Sequence, residues 1–320
     1  MPIRSISICG EVFLDLHALN NEGAEGNNLM TRMVDIVDHQ GNLHSVNAVS
    51  GDMLKHIQAE HLYHYSLENA LPLCNACKKF DANRICADEE FTKDPEFSKE
   101  TPDSVILGAA LQKCTLDDIE GILITSEIGK ARSIARKSCV EFGWAVGIPD
   151  QTRTESYFHV KYVPEGRGKG SGEGENLGQN IFHRPASSGV YAVVVNLDLL
   201  RVSRNDISLE YAADATNRAA RAKGLIVSVM NTFLKLNGAH RNTQLPHLLE
   251  FRGAIITSTS SLPAPSLSAL NKNYREQLEE TCEQLNRLGN PPALTVRKFD
   301  NLSEFTGQMV DLASCGDLAE

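Results

Sequence analysis

What the sequence lacks sets the first limits on what it can be. No stretch of its 320 residues approaches the ~18 consecutive apolar residues of a membrane span, and the opening MPIRSISICGEVFLDL carries no apolar run before a small-residue cleavage site. A cytoplasmic location without a membrane partner is expected. The eight cysteines, Cys9, Cys74, Cys77, Cys86, Cys114, Cys139, Cys282 and Cys315, are too sparse and irregular for a secreted disulfide framework, so reduced thiols are expected. No G-x-S-x-G elbow occurs. His56, Glu60, His61 and His64 lack the order of a zinc-protease helix, where glutamate directly follows the first histidine. No Ser-His-Asp set can be assembled and no internal repeat is visible, so a non-catalytic chain without a cofactor is expected.

An excess of basic charge is also missing. The formal net charge is -10, which taken whole argues against nucleic acid, because phosphate binding rests on Lys and Arg. The distribution changes that conclusion. Residues 81–120 hold eleven acids against four bases, and residues 300–320 hold five acids and no base. Removing those two balances of -7 and -5 leaves +2 for the rest of the chain. Within that rest, Arg201, Arg204, Arg218, Arg221, Lys223, Lys235 and Arg241 outnumber Asp206, Glu210 and Asp214, so a locally basic face is compatible with an acidic protein.

What is present reads as a folded chain: 42% hydrophobic and 22% charged residues are ordinary values for a globular protein of one large or two modest domains. ISICGEVFLDLHAL alternates as a strand with a possible bulge at Gly10. LMTRMVDIV and LHSVNAV flank a turn at 38–42, which predicts a β-hairpin. Ser50 stands at an N-cap position, and Met53, Leu54, Ile57 and His61 follow at helical spacing, which predicts a helix over about 50–65. Residues 66–103 lack periodicity and read as an irregular insertion, and SVILGAAL and GILITSE supply core. SYFHVKYV and GVYAVVVNLDLLRV predict strands on either side of a long Gly-rich segment. Residues 206–236 predict a long amphipathic helix kinked near Gly224, with Arg-rich turns facing solvent or a partner. GAIITSTSS and ALTVRKF are further strands around a helix over PSLSALNKNYREQLEETCEQLNRLG, ended by Gly289. The fold class is α+β, compatible with an RRM-like β-α-β-β-α-β sheet carrying insertions.

Several chemistry-bearing residues have modest explanations. The run 166–174 is a hairpin tip rather than a nucleotide loop, since no helix N-terminus follows it, although Arg167 and Lys169 make it attractive to phosphate. His61, His64, Cys74 and Cys77, with Cys86 as a spare, could tie the insertion through zinc, or the thiols could simply fill a small core. Asp117 and Asp118 read as helix-start carboxylates favoured by the macrodipole. Less easily explained is polarity around the first hairpin and helix start, at Asn20, Asn21, Asn27, Asn28, Arg32, Ser50, Lys55 and His56, and in a flexible basic loop at Gly238, Ala239, His240, Arg241 and Asn242. Amide, hydroxyl and guanidinium donors beside glycines suit phosphate and ribose oxygens.

The blocks ISICGEVFLDLHALNNEGAEGNN, SVNAVSGDMLKHIQAEHL, RPASSGVYAVVVNLDL and GAHRNTQLPHLLEF, in that order and spacing, resemble the CRISPR-associated DevR-type backbone subunit of type I Cascade complexes, of the I-A or I-B kind. The resemblance implies a hand-shaped, modified RRM-like (ferredoxin-like) fold with a palm over 1–65 and 190–320, fingers-like segments over 66–103 and 104–150, and a thumb hairpin over 151–189. It implies copies that polymerise head to tail along a CRISPR guide RNA, beside other Cascade subunits, and present the spacer to target DNA, so that the guide rather than the protein carries the sequence information. Carried over, Asn20, Asn21, Asn27, Asn28, Arg32, Ser50, Gly51, Lys55 and His56 would meet RNA phosphates, with Gly238, Ala239, His240 and Arg241 lining the same groove. In the thumb, Arg153, His159, Lys161, His183 and Arg184 would make polar contacts, and Tyr162 or Phe182 would wedge or stack against a base. Two other functions stand beside this one: metal-dependent RNA cleavage of the type III kind at Asp35 or Asp38, and DNA-binding autoregulation, for which no helix-turn-helix is visible.

Overall fold

The computed structural model describes residues 2–26, 28–162, 179–238 and 242–315. Its first strand, β1 (Ser5–His17), is followed by the short β2 (Asn21–Glu25) and β3 (Asn28–Thr31), the hairpin β4 (Met33–Val37) and β5 (Leu43–Val49), and helix α1 (Gly51–Glu68). Two 3-10 turns, Cys77–Lys79 and Arg84–Ala87, lead to α2 (Glu89–Thr92), α3 (Asp103–Lys113) and α4 (Thr115–Glu120). Then come β6 (Ile122–Ile124), β7 (Glu127–Ile128), β8 (Lys130–Ala131), β9 (Ile134–Arg136) and β10 (Val140–Phe142). Two long strands follow, β11 (Ala145–Tyr162) and β12 (Gln179–Asp198), then α5 (Ala215–Leu234), β13 (His247–Ser258), α6 (Tyr274–Asn286), β14 (Leu294–Phe299) and α7 (Leu302–Ala313). No helix among the described residues is long and apolar enough to cross a membrane.

The main sheet runs β14-β13-β1-β12-β11-β5-β4, with β10 also paired to β12. Within it, β1, α1, β11, β12, α5 and β13 form the β-α-β-β-α-β series, and the spatial order β13-β1-β12-β11 is that of a ferredoxin-like sheet whose strands pair antiparallel. The α+β class and the RRM-like sheet are therefore as expected. Alternation sends Ile6, Ile8, Val12 and Leu14 of β1 to a core shared with α1, α5 and α7, while Cys9 on the opposite face joins Ala192, Ala254, Ile256 and the Tyr274, Leu278 and Cys282 side of α6. Phe233, Phe251, Phe299 and Phe305 close the first core with ring centroids 4.6 to 5.8 Å apart.

Several expectations are corrected. Gly10 is not a bulge: its register is unbroken and faces Gly253, and a Cβ there would lie 2.8 Å from the Phe251 ring. The irregularities of β1 come later, between Phe13 and His17, where Leu16 takes φ 54°. The long helix starts only at Ala215, where the Asp214 carboxylate accepts from Asn217 N–H at 2.8 Å. It passes Gly224 without interruption, because a glycine there lets the helix approach the Tyr65 ring, 3.0 Å from where a Cβ would sit. Arg218 and Arg221 do not face solvent; both are buried. The helix expected to end at Gly289 is confined to α6, since the Asn286 side chain turns outward to bond Ala293 and Leu294. The acidic end contains α7, whose Phe305, Met309 and Leu312 are buried.

Asp117 and Asp118 do stand in the first turn of α4, but they do not cap it. Both are fully buried, and the N-cap of α4 is Cys114, which makes no side-chain cap bond. Asp118 receives Arg136 Nη2 at 2.7 Å, Arg221 Nη1 at 2.9 Å and the Ser203 backbone and hydroxyl at 2.9 Å, so it joins α4, β9, α5 and the loop after β12.

Candidate nucleic-acid interface

The entry to α1 is built from short polar side chains because two chain reversals must be satisfied there at once. Ser50 caps the helix by accepting from Met53 N–H at 3.2 Å. The Asn20 amide oxygen, almost buried, accepts from Ser50 N–H at 3.1 Å, while the Asn20 carbonyl accepts from Thr31 Oγ1 at 2.9 Å and from Arg32 N–H at 3.4 Å. Asn47 donates to the Arg32 carbonyl at 2.9 Å and accepts from the buried Tyr191 hydroxyl at 2.9 Å. This network fixes the end of β1, the start of β4 and the N-terminus of α1 as one unit. Gly51 is required by packing: a Cβ there would stand 2.5 Å from the Phe142 carbonyl oxygen.

Around that unit lies a groove. Gly51, Asp52 and Lys55 face Ser138, Glu141, Phe142 and Trp144 across it, and Arg32 stacks its guanidinium 5.1 Å from the Trp144 ring centre. Trp144, the chain's single tryptophan, is 41% exposed; nothing local in the sequence marks it, because its cation, Arg32, is distant in the chain and meets it only in the fold. Lys55 also borders a second cleft with His56, Phe80, Arg84 and Glu120, in which the exposed His56 ring sits 5.7 Å from Phe80. Burial lowers the Lys55 ammonium pKa. It raises that of the Glu120 carboxyl to about 7.

The second half of the candidate interface is the ribbon of β11 and β12. Its register pairs Arg153 with Ser188, His159 with Phe182, Lys161 with Asn180 and Tyr162 with Gln179, and it slips once, between Gly147 and Thr152. Alternation separates the expected set: positions 153, 159, 161, 182 and 184 share one row, and 162 and 183 share the other. In the first row the His159 and Phe182 rings stack, 5.5 Å apart at 11°, and Arg184 lies 4.7 Å over Phe182. Arg153 pairs with Glu155, its own side chain 83% exposed. In the second row His183 meets the exposed Phe158 edge-on at 5.8 Å, another ring the sequence reading missed. Arg184 also donates to Thr243 at 3.2 Å, and Gln244 donates to the Pro185 carbonyl at 3.0 Å, which ties the loop before β13 to the ribbon.

The structure thus brings Asn20, Arg32, Ser50, Gly51 and Lys55 together, with His56 in the adjoining cleft. Asn28 is exposed and bridges to His183, which joins the first loop to the ribbon. Asn21 lies in β2 opposite Thr31. Gly238 packs on Leu19, where a Cβ would clash at 2.3 Å. Asn27, Ala239, His240, Arg241 and the run 166–174 with Arg167 and Lys169 fall outside the described residues. Asp35 is an exposed strand residue paired with Ser45, and Asp38 is occupied by its own turn, accepting from Gln40 and Asn42 N–H and bonding His44 at 2.9 Å, which lowers its pKa.

Of the two alternatives read in sequence, the zinc set with His61, His64 and Cys86 is not assembled among the described residues. His61 bonds the Lys235 carbonyl at 3.1 Å, His64 lies against Tyr63 and Cys86 points to the Leu123 carbonyl.

Comparison with known proteins gives a consistent placement. Residues 8–279 match the family described as CRISPR-associated negative auto-regulator DevR/Csa2. No curated protein sequence matches the chain. Among solved structures, a chain of a "CRISPR RNA-guided surveillance complex, pre-nicking" is similar with a TM-score of 0.50 and 11% identity, over 96% of this chain and 99% of that one. A chain of a "CRISPR RNA-guided surveillance complex" is similar with a TM-score of 0.50 and 10% identity, over 97% and 98%. At such identities the likeness is one of fold.

Proposed function

The chain belongs to the CRISPR-associated DevR/Csa2 family, and from that premise we propose that it is a non-catalytic backbone subunit of a Cascade-type complex, holding a CRISPR guide RNA by its sugars and phosphates. The observation that carries the reading is the ribbon row in which Arg153, the stacked His159 and Phe182 rings and Arg184 lie along one face. Cations that follow a backbone and ring faces that accept any base are the equipment of a sequence-tolerant single-strand binder. The groove at Arg32, Trp144 and Lys55 adds a second set of the same kind. Copies stacked head to tail would extend both along the guide, leaving bases free to pair with target DNA. Cleavage at Asp35 or Asp38 finds no support, because one carboxylate is a lone strand residue and the other is consumed by a turn.

The test is binding of the purified protein, alone and with its partner subunits, to several unrelated single-stranded RNAs of equal length at low salt. Near-equal affinities that fall steeply as salt rises are expected. Failure to bind any of them, or regular cuts in complementary RNA when magnesium is added, would overturn the reading.

A further inference from the structure

The cysteines left over from the interface converge elsewhere. Cys74 and Cys77 stand on the turn after α1, Cys114 at the junction of α3 and α4, and Asp117 on α4, and all four are fully buried. Their three sulfurs and a carboxylate oxygen lie within 4.8 Å of one another. Asp117 Oδ2 is 3.6 Å from Cys74 Sγ and 3.7 Å from Cys77 Sγ. Tetrahedral zinc with Zn–S near 2.3 Å and Zn–O near 2.1 Å would hold a sulfur and an oxygen about 3.6 Å apart. We propose that Cys74, Cys77, Cys114 and Asp117 form a structural zinc site that fastens residues 69–102 to α3 and α4.

Three further observations agree with it. Asp117 accepts Ile85 N–H at 3.4 Å, and among the described residues no Lys, Arg or His bonds it. A buried carboxylate served by one amide and weak thiol donors is costly, and a divalent cation supplies the missing charge. Second, the outer contacts suit thiolate ligands: Cys77 N–H points to Cys74 Sγ at 3.3 Å, the turn continues as the 3-10 helix Cys77–Lys79, and Phe80 ends it at φ 53°. Amide donors to ligand sulfur and oxygen hold such ligands in orientation. Third, residues 69–102 contain only two 3-10 turns and the four-residue α2, yet Leu73, Cys74, Cys77, Ile85 and Phe91 are buried, so a crosslink has an ordering task there. On binding, three Zn–S bonds replace three S–H bonds and the protons leave to solvent, with no change of oxidation state. The set differs from the one read in sequence because Cys114 and Asp117, about forty positions from the C-x-x-C turn, replace His61, His64 and Cys86.

The test is elemental analysis of the full chain purified without air and washed with a mild chelator. About one zinc per chain is expected. Protein reconstituted with cobalt should show thiolate-to-cobalt charge transfer and the visible bands of a tetrahedral ion, with the charge-transfer band growing in Asp117→Cys. Cys114→Ser should lose most of the metal, while Cys86→Ser and His61→Ala should keep it. If Cys114→Ser does not fold, the wild-type cobalt spectrum decides alone. Protein that stays metal-free after zinc and cobalt are supplied, a cobalt spectrum without sulfur bands, or metal retained by folded Cys114→Ser would each overturn the proposal. None of these readings depends on RNA.

Discussion

Asp118 holds two guanidinium groups that do not reach water, those of Arg136 and Arg221, each with at most 1% of its side chain exposed. Removing the carboxylate leaves Arg221 buried without its counter-charge and Arg136 with Asp206 alone, at 3.2 Å. Asp118→Ala is therefore expected to cost about 3–5 kcal/mol, read as a lowered urea midpoint at unchanged slope. Arg221 was legible in the sequence only as one of a basic group, and residue type alone placed it outside. Its carboxylate partner is 103 positions away, beyond the reach of any local pattern. Glu120 gives a pH dependence of definite sign. Its pKa rises from 4.5 to about 7 on folding, so between those values the unfolded chain has released a proton that the folded chain keeps. Stability then falls as pH climbs through that window. At roughly 1.4 kcal/mol per unit the effect approaches about 3 kcal/mol. Glu120→Gln should match wild type at pH 4 and exceed it by up to that amount at pH 8, measured by chemical denaturation. His17 acts on the other side: burial lowers its pKa from 6.5 to about 4, so stability is lost as pH falls through that range.

Ser50 shows what an element's end can reveal. The serine before a helical apolar spacing was readable, and the cap is there, as is the hairpin around residues 38–42. Not readable was that Asn20 completes the same junction from thirty positions upstream. Ser50→Ala should cost about 1 kcal/mol from the cap and weaken RNA binding by loosening the groove, whereas Arg153→Ala should weaken binding without lowering the melting temperature. In the final stretch the acids mask a helical core spacing, that of Phe305, Met309 and Leu312 in α7. The composition of residues 206–214 continues the pattern of the long helix, although the Asp214 cap begins it later. In the ribbon, alternation identified the strands, but only the pairing register sorts Phe182 and Arg184 from His183.

For the whole molecule, the net charge of -10 describes the surface poorly. Asp88, Asp117, Asp118 and Glu120, four of the eleven acids in residues 81–120, are buried, so that region is less forbidding to phosphate than its count. Photo-crosslinking of bound RNA is expected at the groove and ribbon and not at residues 89–100 or 300–311. Strong crosslinks in either acidic segment would reverse the orientation assigned to RNA. The plot of log affinity against log salt should be linear, with a slope of about 0.7 per phosphate engaged. Arg153→Ala should make it shallower.

The same β12 that borders β1 from Ser187 to Asp198 also carries the outer ribbon, with no loop between the two roles. A load applied at the ribbon's far end is accordingly passed as shear into the ladders beneath it, and bending concentrates at the single slip between Gly147 and Thr152, facing Gly189. A neighbouring molecule that grasped the tip would have a lever on the floor against which α1 and α5 rest, and tension along a row of such molecules would travel through strands, not through hinges.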